Sequence, residues 1–162
     1  KTCVPTERVA QVDVQKLIDT TSVGKSKKSV LMEDFKRKQS ELDKVQEGLL
    51  EEKKDLESGK LSEGAKKIRR EKYEKQLAEL AQTYQRFQEE IRVKERALTS
   101  EILSEVRDAS SRIGEAQGFT AVYFEEGVLW AKPGKEQAAD ALKGVPRFDL
   151  TAAVMDEMNR PR

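Results

Sequence analysis

From Val23 to Glu115 the chain repeats apolar residues on a slow helical beat, almost without Gly or Pro. In the first half Leu31, Phe35, Leu42, Val45, Leu49 and Leu56 recur at steps of four, seven, three, four and seven. That spacing predicts a heptad seam in which Lys38 and Glu52 are polar interruptions. In the second half Leu77, Leu80, Tyr84, Phe87, Ile91, Lys94 and Leu98 alternate steps of three and four, and Ile102 and Val106 then follow at steps of four. The lengthened step predicts a change from a two-helix seam to packing against a body. Ser58-Gly59-Lys60-Leu61-Ser62 joins a C-terminal glycine signal to a fresh N-cap, a stop and a restart. The predicted element is a long antiparallel helical hairpin, residues 23–115, with its tip near 58–62. Its arms are about 33 and 55 residues, or about 50 and 80 Å at the helical rise.

The flanks, 1–22 and 116–162, have another texture and are expected to form one β-rich body. Lys1 to Thr6 carries no pattern and reads as a loose terminus. Arg8 to Val14 alternates as a strand, Gln15 to Asp19 reads as a helical turn, and Thr20-Thr21-Ser22 offers caps for the first arm. Gly118 is expected at the C′ position of the second arm. Thr120 to Phe124 and Val128 to Ala131 form a predicted β-hairpin around Glu125-Glu126-Gly127. A short helix at Gln137 to Leu142 and an amphipathic helix from Asp149 to Asn159 complete the chain, the latter with Leu150, Val154, Met155 and Met158 on one face.

Composition supports this division. The 162 residues are 38% charged, 36% apolar and 6% aromatic, with a net charge of +1. So much charge fits long exposed helices with little core, and near-neutrality argues against a dedicated nucleic-acid binder. Histidine is absent, which excludes imidazole acid–base chemistry, His-containing triads and His metal sites. The lone Cys3 allows no intrachain disulfide and reads as a free thiol, or as an intermolecular one. No apolar run is long enough to cross a bilayer as a helix. The chain starts at Lys1 rather than Met, as expected if a leader segment has been cleaved or the end trimmed.

Candidate chemistry is sparse. The carboxylates interleave with Lys and Arg as on a solvated helix face, no phosphate-loop spacing occurs, and no calcium-type loop occurs. An enzyme, a metal site and a cofactor are therefore not expected. The hairpin tip is more distinctive. Between Lys53 and Lys75, nine basic and five acidic residues leave a local surplus of four positive charges. Lys60, Lys66, Lys67, Arg69 and Arg70 are candidates to touch an acidic client, an anionic membrane or a phosphate-bearing glycolipid; the plainer reading is a tip kept soluble by like charge. Tyr73, Tyr84 and Phe87 are expected between the arms. In the body, Val12, Val14, Val122, Phe124, Leu129 and Trp130 form the candidate core, with Trp130 equally suited to a subunit interface. Three strands from one chain leave open edges, so the body is expected to close as a barrel shared between subunits.

The end segments resemble the Skp family of periplasmic chaperones, the OmpH-like proteins. The resemblance rests on Val12-Asp13-Val14-Gln15-Lys16-Leu17, on Gly118-Phe119 with Val122 and Val128-Leu129-Trp130-Ala131, and on Asp149-Leu150-Thr151 with Val154 and Met158-Asn159. It implies an α+β homotrimer: a small β-barrel body shared by three subunits carries three coiled-coil tentacles around a cavity. It further implies an ATP-independent holdase that keeps unfolded outer-membrane β-barrel proteins from aggregating in the periplasm. Two departures stand out, a longer Lys132–Phe148 link and a near-neutral charge. The alternative from another class is a structural or adaptor coiled-coil protein whose arms bind one defined partner.

Overall fold

The computed structural model describes residues 7–161, so Cys3 and the expected loose terminus lie outside the described residues. Nine elements follow in order: β1 (Val9–Gln11), α1 (Val14–Thr20), α2 (Ser22–Glu57), α3 (Glu63–Gln117), β2 (Ala121–Phe124), β3 (Gly127–Ala131), α4 (Glu136–Ala141), β4 (Arg147–Asp149) and α5 (Thr151–Asn159). The chain divides into two compact units, residues 1–28 with 97–162, and residues 29–96.

The first unit is built on a four-stranded sheet in the order β3-β2-β1-β4. β1 lies between β2 and β4, parallel to both, and β2 pairs with β3 antiparallel. The sheet is open, with β3 and β4 as its edges; it is not a closed barrel within one chain. Period-two alternation sends Ala10 and Val122 to one face, where α1, the end of α3 and α5 cover them with Leu17, Ile18, Ile102, Val106, Ile113 and Val154. Val9, Ala121 and Tyr123 point to the other face, against Ala139 of α4 with Leu142 and Val145. The long Lys132–Phe148 link thus supplies the second cover of the sheet, and Tyr123 Oη donates to the Ala139 carbonyl.

Several local outcomes differ from the sequence expectation. The first strand ends at Gln11, not Val14, because Asp13 caps α1 by accepting from the Lys16 amide at 3.0 Å. Val14, Leu17 and Ile18 then share the buried helical stripe, and that spacing overrides the Val12/Val14 alternation. β4 was not expected: Arg147-Phe148-Asp149 is too short and too exposed to show a strand pattern, yet it pairs with β1 in register Val9↔Arg147 to Gln11↔Asp149. In β3, Val122 pairs with Trp130 but Tyr123 with Val128, which leaves Leu129 as the extra residue of a bulge. The bulge breaks alternation, so the consecutive Leu129 and Trp130 both pack on the α3 side.

The helix ends follow the sequence signals. Gly59 and Gly118 both take φ 73°, and the Phe119 amide closes onto the Gly114 carbonyl at 2.9 Å, a Schellman-type stop. Ser62 Oγ accepts from the Ala65 amide at the restart. At the α1–α2 joint, Thr21 Oγ1 donates to the Leu17 carbonyl and accepts from the Gly24 amide. α5 fastens the same region: Asn159 Oδ1 accepts the Ser22 amide at 2.9 Å, Thr151 Oγ1 accepts the Asp13 amide at 2.9 Å, and Arg112 pairs with Glu157 at 2.7 Å.

Gly24 is required there, since a Cβ would lie 2.1 Å from the backbone oxygen of Ile18. Gly24→Ala is expected to cost about 1–3 kcal/mol through overpacking, read as a lower urea midpoint in the fluorescence of Trp130, the sole tryptophan. Gly64→Ala, with open space around its Cβ, serves as the control and should not lower the midpoint.

Candidate functional site

The second unit, residues 29–96, holds the two arms of the hairpin and the features most able to engage a partner. Its apolar seam is thin. Leu42, Leu49 and Leu56 are buried at steps of seven on α2, and within residues 63–96 of α3 only Phe87 is buried. Phe35 meets Phe87 with ring centroids 5.5 Å apart, Tyr73 is half-buried, and Tyr84 stays 45% exposed. The arm backbones rarely approach within 8 Å of each other, Cα to Cα. Side chains therefore bridge a wide gap instead of interlocking in it.

The polar residues that interrupt the seam are the ones that span the gap. Lys38 pairs with Glu90, Lys94 with Asp34, and Glu52 with Arg69, each across the hairpin. Arg69 binds Glu52 with both ends of its fork, Nε to Oε1 at 2.8 Å and Nη2 to Oε2 at 2.7 Å, and reaches Asp55 at 3.3 Å. The hydrogen bond from Lys94 holds the Asp34 carboxyl below its ordinary value, and Arg69 does the same to Glu52. Arg69 is itself pushed upward, first by its bond to Glu52.

Between these pairs the arms leave a trough. One cavity of about 730 Å³ is lined by Leu42, Val45, Gly48, Leu49 and Leu80, among others. A second of about 350 Å³ continues it toward Phe87, and the two share Leu42, Val45 and Thr83. Gly48 lies inside α2, where glycine costs about 1 kcal/mol relative to alanine. Nothing lies within 4 Å of the position its Cβ would take. Outside the trough, Val30, Met32, Leu50, Ile68 and Val93 are about half exposed or more, set among charges.

The five expected tip residues do not act alike. Lys60, Lys67 and Arg70 are exposed and Lys66 is half-buried, and their side chains make no ion pair among the described residues. Arg69 is committed to Glu52 and Asp55. In the first unit, Val12, Val14, Val122 and Leu129 are buried within the single chain, while Phe124 and Trp130 are half-buried against the same cluster. The four buried residues are thus covered within one chain. The apolar side chains left open lie on the edge strands: Val128 of β3 is 37% exposed and Phe148 of β4 is 53% exposed. Sequence reasoning passed over Phe148, Gly48 and Gly114. A Cβ on Gly114 would fall 2.4 Å from the Trp130 ring, so that glycine seats the ring. A small residue at an otherwise regular helical position was the available signal for both glycines. Among the described residues, no helix is long and apolar enough to cross a membrane and no cluster of His, Cys, Asp and Glu is placed to hold a metal ion.

The family model described as outer membrane protein (OmpH-like) matches residues 8–158. A crystal structure of a proposed outer membrane chaperone (OmpH-like) from Caulobacter crescentus CB15 is similar in fold, with a TM-score of 0.73 at 18% identity, covering 98% of this chain and 88% of that one. No curated protein matches the chain.

The ion pairs give the hairpin a definite pH response. Asp34 and Glu52 have depressed values when folded. Their contribution is complete above the unfolded carboxyl value, about 4, and is lost as pH falls through the lower folded values. Spin labels at Gln46 and Gln82, with Cys3 replaced by Ser, should report a single arm-to-arm distance at pH 7. The distribution should widen and lengthen only as pH drops below that range. An unchanged distribution in strong acid would mean that the apolar seam alone closes the arms.

Proposed function

The chain belongs to the family of OmpH-like outer membrane proteins, and from that premise we propose that it is an ATP-independent holdase for unfolded outer-membrane β-barrel proteins in the periplasm. The observation that carries this reading is the hairpin surface. Val30, Met32, Leu50, Ile68 and Val93 stand exposed along two long helices whose remaining surface is rich in charge. Scattered apolar side chains of this kind offer many weak contacts and no single deep site. An unfolded chain meets several at once and gains avidity, while each contact releases quickly. Release follows when the client folds at its destination, so no nucleotide cycle is needed.

The holdase works as a homotrimer in this reading. The edge strands β3 and β4 are unpaired in one chain and leave Val128 and Phe148 partly exposed, Phe148 with one side of its ring against Phe119. Joining the β3 edge of one subunit to the β4 edge of the next removes both edges and closes a barrel from three open sheets. The hairpins then surround the space in which a client is held. At the tips, Lys60, Lys66, Lys67 and Arg70 are free to contact an anionic membrane or glycolipid, whereas Arg69 is held by Glu52 and Asp55.

At one trimer per client, the protein should suppress light scattering when a urea-unfolded β-barrel membrane protein is diluted into buffer. Unchanged aggregation, together with saturable binding to one folded protein, would replace this reading with that of an adaptor coiled coil. Light scattering should give a mass near three times 18.4 kDa. Phe148→Glu and Val128→Glu should each shift that mass toward one chain while leaving the helical circular dichroism unchanged. A monomeric wild type would remove the shared barrel.

A further inference from the structure

The trough inside each hairpin has features that the general stickiness of the arms does not require. On α2 it runs from Lys38 to Glu52, about 21 Å at the helical rise, and its two parts share Leu42, Val45 and Thr83. Its floor is apolar, formed by Leu42, Leu49 and Leu80. Its walls are charged but balanced: each part is lined by two acidic and two basic side chains. Cross-arm pairs sit at both limits, Lys38 with Glu90 and Glu52 with Arg69. Neither part carries a net charge, so the trough offers a charged occupant no net attraction, and its apolar floor favours an uncharged one.

Gly48 is the second, independent observation. Glycine weakens a helix interior relative to alanine, and here no part of the chain calls for one, because nothing lies within 4 Å of its Cβ position. Gly24 and Gly114, by contrast, are each demanded by a neighbour at 2.1 and 2.4 Å. A glycine that the chain itself does not need, facing the larger cavity, opens space for another backbone to come close.

We propose that the trough between the two helices of a single arm is a binding site for one extended, uncharged segment of an unfolded chain, laid with its main chain against Gly48. About 21 Å accepts about six residues in extended conformation, with alternate side chains on the Leu42–Leu49–Leu80 floor. Alternating, uncharged segments of this length are what a membrane-spanning β-strand supplies. The site rests on the holdase reading for its biological occupant, but it belongs to one hairpin and needs no cavity between subunits.

The test uses the full chain and a blocked eight-residue peptide of alternating Val or Tyr with Ser or Thr, carrying a neutral fluorophore and read by anisotropy. The wild type should bind it and should bind a Lys/Glu-substituted version more weakly. Gly48→Trp fills the trough and should weaken binding at least about tenfold, whereas Gly64→Trp, in the same hairpin but outside the trough, should leave it unchanged. A photo-crosslinking residue at Val45 should capture the peptide and one at Val93 should not. Circular dichroism verifies that each variant is folded, and the smaller Gly48→Leu repeats the test if Trp lowers helicity. No binding by the wild type, equal binding by the folded Gly48 variants, or capture at Val93 and not at Val45 would overturn the site. Aggregation suppression measured on the same samples separates the two ideas. Suppression that ignores Gly48 removes only the trough, and its absence in the wild type removes the holdase reading.

Discussion

The parallel pairing of β1 with β2 is the constraint on which the rest depends. Val9 lies opposite Ala121 and Gln11 opposite Tyr123, so two adjacent parallel strands are joined by more than a hundred residues of chain. Parallel neighbours require a crossover, ordinarily a single helix. Here the crossover is α1 and the whole of both arms. The hairpin is thus inserted in the sheet's own connection, and pairing the two inner strands of the body closes a loop that contains both arms. Closing so long a loop costs conformational entropy before any strand contact repays it. A hairpin of two helices, once formed, brings the ends of that loop close and lowers this cost. The fasteners at its two ends then fix what it brings together: Asn159 on the Ser22 amide, Thr151 on Asp13, and Arg112 on Glu157.

Within the arms the same chain solves a different problem, holding two helices near each other without a tight seam. A continuous heptad core would make a rigid rod. Here one leucine per heptad on α2 is buried, facing a single buried aromatic on α3, and ion pairs made by Lys38, Lys94 and Arg69 carry the remaining span. Exposed pairs contribute little individually and are screened by salt. Asp34 is more sheltered, at 12% exposure, and Arg69 grips Glu52 with both ends of its fork. The closed arrangement is therefore favoured by several small terms of mixed origin, so part of it can open without unfolding the whole arm.

How far the sequence revealed this depended on how local each signal was. The hairpin, its turn at Gly59 and its stop at Gly118 follow from periodicity and glycine placement, which act over a few residues. The roles of Lys38, Glu52 and Lys94 did not: they read as flaws in an apolar pattern, because their partners Glu90, Arg69 and Asp34 are 17 to 60 residues away. β4 was hidden for the same reason. Three residues, two of them exposed, become a strand only because β1 has a free side. The Leu129 bulge was equally invisible, since Val-Leu-Trp-Ala reads as a plain strand until its pairing with β2 shows two neighbours facing one core. The end motifs, by contrast, are legible and now have physical meaning. Asp13 is a cap, Asp149 takes the Thr151 amide and hydroxyl, and Asn159 caps the first arm.

The exposed apolar residues of the arms would be a hazard on an uncharged helix. Val93 lies near Arg92 and Lys94, Ile68 near Lys67 and Arg69, and Leu50 beside Glu51, so each is flanked by a charge in sequence. Flanking charges keep such side chains from merging into one patch that would self-associate. The near-neutral total fits the same arrangement. The surplus of four positive charges at the tip is offset by an acidic excess elsewhere in the chain, so any long-range attraction of an anionic partner is confined to the tip. A strongly basic relative would gather acidic clients from a distance. In the holdase reading proposed above, a chain with its surplus confined to the tip would sort clients by exposed hydrophobicity more than by charge, and exposed hydrophobicity is what separates an unfolded membrane strand from a folded soluble surface.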